Sequence, residues 1–148
     1  MKTSTAVPDL SARCREKGLA LTAQRSAVLG ELAGRLDHPT ADQVYEAVGP
    51  KVPGLSRTTV YRVLDTMAKA GVIGVVGSLG AAMRYDPTTG RHHHLMCVEC
   101  HKVVDFEDPK LDALKVPTGT GFEIGDYSVQ FKGTCPECRK KSGGNRRN

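Results

Sequence analysis

The stretch SRTTVYRVLDTMAKAG, residues 56–71, decides the fold. Ser56 can cap the first turn, and Val60, Val63, Leu64 and Met67 recur at i, i+3, i+4 and i+7, which predicts a helix with one apolar face. Gly71 supplies the left-handed residue that ends it. The opposite face shows Arg57, Thr58, Tyr61 and Arg62. An ordinary amphipathic helix has the same pattern, so the meaning of the polar face depends on what surrounds it.

Upstream, Leu10 to Lys17 is weakly helical, and Thr22 opens a helix with Val28, Leu29 and Leu32 at helical spacing. Thr40 and Gln43 form the two halves of a capping box for a third helix, whose stripe is Val44, Tyr45 and Val48 and whose stop is Gly49-Pro50. Downstream, the β-branched run Val72–Val76 turns through Gly77-Ser78-Leu79-Gly80 into Ala81–Tyr85, a predicted hairpin. Helices followed by a hairpin make a winged helix, whose last helix enters the major groove of DNA. Arg57, Tyr61 and Arg62 can then reach base edges, and Ser56, Thr58 and Thr59 can meet phosphates.

The charge distribution supports that reading. The chain has 148 residues, 39% hydrophobic and 25% charged, with a formal net charge of +5. Residues 1–85 carry a net +4, residues 86–138 a net −4 and residues 139–148 a net +5. A basic half, an acidic half and a basic tail fit separate sites for nucleic acid and for cations. The length allows one domain or two small ones and excludes a large multidomain enzyme. No run approaches the roughly 20 apolar residues that span a bilayer, and MKTSTAVPDL lacks a signal-peptide core, so a cytoplasmic protein is expected.

In a reducing compartment, paired cysteines argue for metal before disulfide. Cys97-x-x-Cys100 and Cys135-x-x-Cys138 have the spacing of a four-thiolate zinc shell, and a closed shell implies a structural ion. Cys14 falls outside the pattern and reads as a small apolar side chain. The second cluster is harder: His92, His93 and His94 lie between Asp86 and Asp105. On a strand, His92 and His94 share a face while His93 points away. Mixed nitrogen and oxygen ligands suit iron, manganese, nickel or zinc alike. His38, read alone, is a surface or capping histidine.

KGLALTAQR, HPTADQVY, SRTTVYRVLDTMAKAGVI, YDPTTGRHHHLMCVEC and KVVDF, in this order, resemble the ferric uptake regulator family of bacterial metal-dependent repressors. The resemblance covers about residues 10–138. It implies an α+β homodimer: an N-terminal winged-helix DNA-binding domain (1–85), a hinge (86–90), and a small α/β dimerisation domain with structural zinc (91–138), followed by a disordered basic tail (139–148). It implies a regulatory site for Fe(II) or Mn(II) at His38, Asp86, His92, His94 and Asp105, and a pseudo-palindromic double-stranded operator. Asp at positions 86 and 105 resembles the peroxide-sensing branch, since iron-sensing members usually carry Glu there. In that branch iron-catalysed oxidation strikes ligand histidines, here His38 and His92. A further metal site of iron-sensing members would need His in place of Arg91, Asp in place of His93 and His near Tyr127, and Ala20 replaces a basic minor-groove residue.

The expected function is therefore a metal-dependent, peroxide-sensing transcriptional repressor. The alternative in the same class is an iron, zinc or nickel homeostasis repressor. A zinc metallohydrolase would need a general base such as the Glu of an HExxH helix, and neither that nor a nucleophile arrangement is present, so no catalytic residue is expected.

Overall fold

A computed structural model of the chain describes residues 9–77 and 82–143. The chain divides into two compact units, Thr5–Thr89 and Gly90–Asn148.

The first unit opens with α1 (Leu10–Glu16), α2 (Ala23–Ala33) and α3 (Ala41–Val48), then a 3-10 turn over Gly49–Lys51 and the long helix α4 (Arg57–Lys69). Each main helix starts where a hydroxyl can satisfy its orphan N–H groups. Thr22 Oγ1 accepts from the Arg25 N–H at 3.2 Å, and Ser56 Oγ accepts from the Thr59 N–H at 3.1 Å. At Thr40 the capping box is complete: its hydroxyl accepts from the Gln43 N–H at 3.2 Å, and the Gln43 carbonyl oxygen accepts from the Thr40 N–H at 2.9 Å. Gly71, at φ +74°, ends the α4 segment, and Val72 then donates back to the Met67 carbonyl.

Strands β1 (Gly74–Val76) and β2 (Arg84–Asp86) pair antiparallel with Val75 opposite Tyr85, forming the wing. Both are shorter than the runs expected from sequence, Val72–Val76 and Ala81–Tyr85. Val72 and Ile73 are instead buried in the helical core, and most of the predicted turn lies outside the described residues. The core takes the apolar stripes of all four helices: Val28, Leu32, Val44, Val60, Leu64 and Met67 are fully buried. Each such side chain stabilises by roughly 1.5–3 kcal/mol relative to exposure. Cys14 belongs to this core, its thiol 3.3 Å from the Met67 sulfur.

The second unit contains β3 (His93–Cys97), β4 (Val103–Phe106), α5 (Pro109–Asp112), β5 (Gln130–Gly133) and α6 (Pro136–Gly143). Its strand order among the described residues is β4-β3-β5, with β3 antiparallel to β4 and parallel to β5. Of the run Gly121–Lys132, expected to hold one or two strands, only the last three residues join β5. Gly121, at φ +77°, interrupts the extended backbone, and Phe122 is 83% exposed. Residues 139–143, expected to be disordered tail, continue α6, because the turn holding Cys135 and Cys138 nucleates a helix there. Residues 144–148 lie outside the described residues.

Candidate functional sites

The exposed face of α4 carries every side chain expected to meet DNA. Ser56, Arg57, Thr58, Tyr61 and Arg62 are exposed and Thr59 is half-buried. The hydroxyls of Ser56 and Thr59 lie 2.9 Å apart, so these two residues also close the first turn on itself. Arg62 and Thr59 line one side of a cleft of about 290 Å³, and Thr22, Gln24 and Arg25 at the start of α2 line the other. Gln24, Arg25 and Asp42, to which the sequence assigned no binding role, also lie on this surface. The Asp42 carboxylate on α3 accepts from both Arg57 and the Tyr61 hydroxyl, the latter at 3.1 Å. The guanidinium of Arg57 beside Asp42 holds its carboxyl below the usual range, and Tyr61 adds to the effect.

The loop before α3 and the end of β2 hold the first half of the expected regulatory ligands. His38 is only 2% exposed, and its Nε2 lies 3.3 Å from Oδ2 of the equally buried Asp86. It is therefore no surface histidine. Its backbone stands at φ 50°, a left-handed conformation that costs a β-carbon-bearing residue roughly 1–3 kcal/mol. The wing holds it there. Arg84 donates to the His38 carbonyl at 2.9 Å and the Tyr85 N–H to the Pro39 carbonyl at 2.9 Å. Asp86 Oδ1 accepts from the Thr88 N–H at 2.8 Å, which turns its other oxygen toward His38.

The second unit holds the other half. His92 Nε2 and His94 Nε2 lie 3.6 and 3.4 Å from the same oxygen of Asp105, and the two rings meet edge to face at 4.7 Å. His94 and Asp105 are opposed on β3 and β4. Donors each about 2.1 Å from one ion lie roughly 3.0–3.4 Å apart for angles between 90° and tetrahedral. The His94 spacing falls within that range and the His92 spacing just beyond it, so a shared cation would need only a slight inward shift of His92. His92 Nδ1 lies 2.6 Å from the Gly90 carbonyl, which fixes the proton on Nδ1 and leaves the Nε2 lone pair for a ligand bond.

His93, as alternation requires, faces the opposite way and is fully buried. Its Nδ1 accepts from the Val129 N–H at 3.1 Å, so Nε2 carries the proton and donates to Asp112 at 3.0 Å. Beside it, the Arg91 guanidinium lies 4.9 Å over the Tyr127 ring and pairs with Asp126 at 3.0 Å. Arg91 also donates to the Asp112 carbonyl at 3.2 Å, so Arg91 and His93 both bond to Asp112 while Arg91 stacks on Tyr127.

Cys97, Cys100, Cys135 and Cys138 offer sulfur atoms all within 4.8 Å of one another, none in a disulfide. The 3.8 Å between Cys100 and Cys135 sulfurs equals the edge of a tetrahedron with arms of about 2.3 Å, the zinc–thiolate bond length. The Cys100 and Cys135 backbone N–H groups push the Cys97 thiol down to about 6, while the neighbouring Cys135 thiol and burial push Cys138 up to about 12. One thiolate is welcome and the next is opposed. A divalent cation resolves that conflict, and four sulfurs leave no open position for a substrate.

A winged helix followed by a sheet unit, with a four-cysteine cluster and a histidine–carboxylate cluster, defines a winged-helix class of protein that carries two sets of donors suited to metal. Residues 16–132 match the model of the ferric uptake regulator family, and the chain belongs to that family. It is 36% identical over 129 residues to the peroxide operon regulator of Bacillus subtilis (strain 168), covering 86% of this chain and 89% of that one. It is 33% identical over 132 residues to the peroxide-responsive repressor PerR of Staphylococcus epidermidis (strain ATCC 12228 / FDA PCI 1200), covering 88% of each. Among solved structures, the ferric uptake regulator from Francisella tularensis with iron superposes with a TM-score of 0.70 at 28% identity, covering 82% of this chain and 96% of that one.

Proposed function

We propose that this protein is a metal-dependent transcriptional repressor of the peroxide-sensing branch of its family, acting as a cytoplasmic homodimer on a pseudo-palindromic operator. The observation that carries the reading is the split donor set. His38 and Asp86 are preorganised in the first unit, and His92, His94 and Asp105 in the second. One Fe(II) or Mn(II) ion held by both sets restrains the recognition helices, and the gain equals the difference in metal affinity between restrained and free arrangements. Cys97, Cys100, Cys135 and Cys138 hold a separate structural zinc. The exposed Leu95, Val104 and Phe131 line a groove of about 420 Å³ on the second unit, which supports an apolar contact between two copies.

Ferrous iron held by His38, Asp86, His92, His94 and Asp105 would supply one-electron chemistry toward peroxide, acting as a relay that is not consumed, with the imidazole as the net reductant. The residues provide the target: the net change is one imidazole plus one hydrogen peroxide giving an oxygenated imidazole plus water. Oxidised His38 or His92 is a poorer ligand, and the operator is released.

The test exposes the iron-loaded and manganese-loaded protein to mild peroxide. The expected result is one added oxygen on the peptide containing His38 or His92 and lost operator binding with iron, and neither with manganese. Unchanged mass and retained binding with iron would leave a metal-homeostasis repressor. A second measurement counts ions: His38→Ala and His94→Ala should each lose the same single regulatory ion and keep the zinc.

A further inference from the structure

Two side chains of α4 meet one carboxylate of α3 on the face of the first unit that carries the recognition helix. Asp42, in the first turn of α3, accepts from Arg57 and from the Tyr61 hydroxyl, one helical turn apart on α4. The Arg57 guanidinium also lies 4.7 Å over the Tyr45 ring, so it is held on two sides. Asp42 is itself well placed, because the capping box at Thr40 and the buried Ala41 set the start of α3.

The cluster does little for the fold. The Asp42 and Arg57 side chains are 49% and 50% exposed, and ion pairs this open to solvent contribute little to stability. An aspartate on a surface that meets a polyanion is also unfavourable electrostatically. A carboxylate there needs a different explanation, and its two partners supply one.

We propose that Asp42 is a positioning residue that determines operator specificity, by holding Arg57 and Tyr61 together for base-edge contact and withholding the Arg57 charge from backbone phosphate. This rests on the repressor reading above. Guanidinium and phenol groups tied to one acceptor present a single arrangement of donors, whereas a free arginine takes whichever phosphate is nearest. Asp42 therefore trades general affinity for discrimination.

The experiment uses the manganese-loaded full chain. A duplex is first enriched from a random-sequence library by the wild-type protein, and its binding is then compared with that of a random duplex across salt concentrations. Asp42→Asn should bind random DNA more tightly, with a log–log salt slope steeper by about 0.9, as one added phosphate contact requires. Its preference for the enriched duplex should fall by about fivefold or more, the scale of one lost base-reading pair. Its melting temperature should match the wild type. In an Arg57→Ala background the change in salt slope should vanish, because the effect passes through Arg57. An equal rise in affinity for both duplexes, with the preference unchanged, would be simple charge removal and would overturn the assignment of Asp42 alone. If the wild type enriches no duplex, the repressor reading falls and this inference with it.

Discussion

In the first unit Val28, Leu32, Val44, Val60, Leu64 and Met67 are fully buried, and apart from the buried His38–Asp86 pair its short polar side chains cap helices. Among the described residues of the second, the buried hydrophobic side chains are Met96, Cys97 and Val103, and the buried polar ones are His93 and His94, paired with the partly exposed Asp112 and Asp105. One unit is stabilised by removing hydrocarbon from water and the other by bringing donor atoms together. The first should thus fold by itself, while the second depends on what its donors hold. That division lets the unit that carries α4 stay folded whatever happens to the cysteine cluster of the other.

Stripping the zinc should break the comparison most visibly. Structural zinc of this kind contributes an apparent ~10–16 kcal/mol, far above the stability of a small domain. Chelation, or Cys97→Ser, should abolish amide-exchange protection across β3 and β5 while α4 keeps its own. Simultaneous loss in both units would show that they do not fold independently.

Leu64→Ala is the converse. It should cost roughly 2–5 kcal/mol of first-unit stability through lost burial and a residual cavity, without changing zinc retention. Thr40→Ala should cost about 1 kcal/mol as a lost cap, seen as a small drop in the first-unit melting temperature.

The mildest effect comes from acid. Arg35 bonds to the Asp37 carboxylate and holds its pKa below the ordinary 3.8. A carboxyl lowered on folding adds stability above its ordinary value and loses it as pH falls through the lowered one. Asp37→Asn should therefore flatten the first unit's stability curve below pH 3.8, and only slightly, because the side chain is 55% exposed.

How much of this could be read from sequence follows the same divide. The caps at Thr22, Thr40 and Ser56 and the stripe Val60–Met67 are local signals, visible within four residues of each other. The cysteine pairs were legible because a two-residue spacing leaves little geometric choice. The shared face of His92 and His94 followed from alternation. What sequence hid was contact between distant positions: Asp42 with Arg57 and Tyr61, Asp112 with His93, and Arg84 with the carbonyl of His38. Each of these polar residues has a bland local reading, Asp42 as an ordinary first-turn acid and Arg84 as a surface charge. Of the one or two strands expected over residues 121–132, only the start of β5 forms, and the left-handed glycine at 121 marks where the preceding chain leaves regular extended backbone.

The parallel pairing of β3 with β5 places Cys97 opposite Gly133, so β5 delivers the chain directly to the second cysteine pair. Four cysteines on one ion would close a ring of chain between Cys100 and Cys135, and residues 115–125, with no helix or strand, make up the slack within it. For a flexible ring, closure entropy grows only logarithmically with length, and doubling the ring costs about 0.6 kcal/mol, or about threefold in zinc affinity. The arc around Gly119 and Gly121 is accordingly where this protein can accept extra residues, a peptide tag or a reporter, while its clamp stays shut.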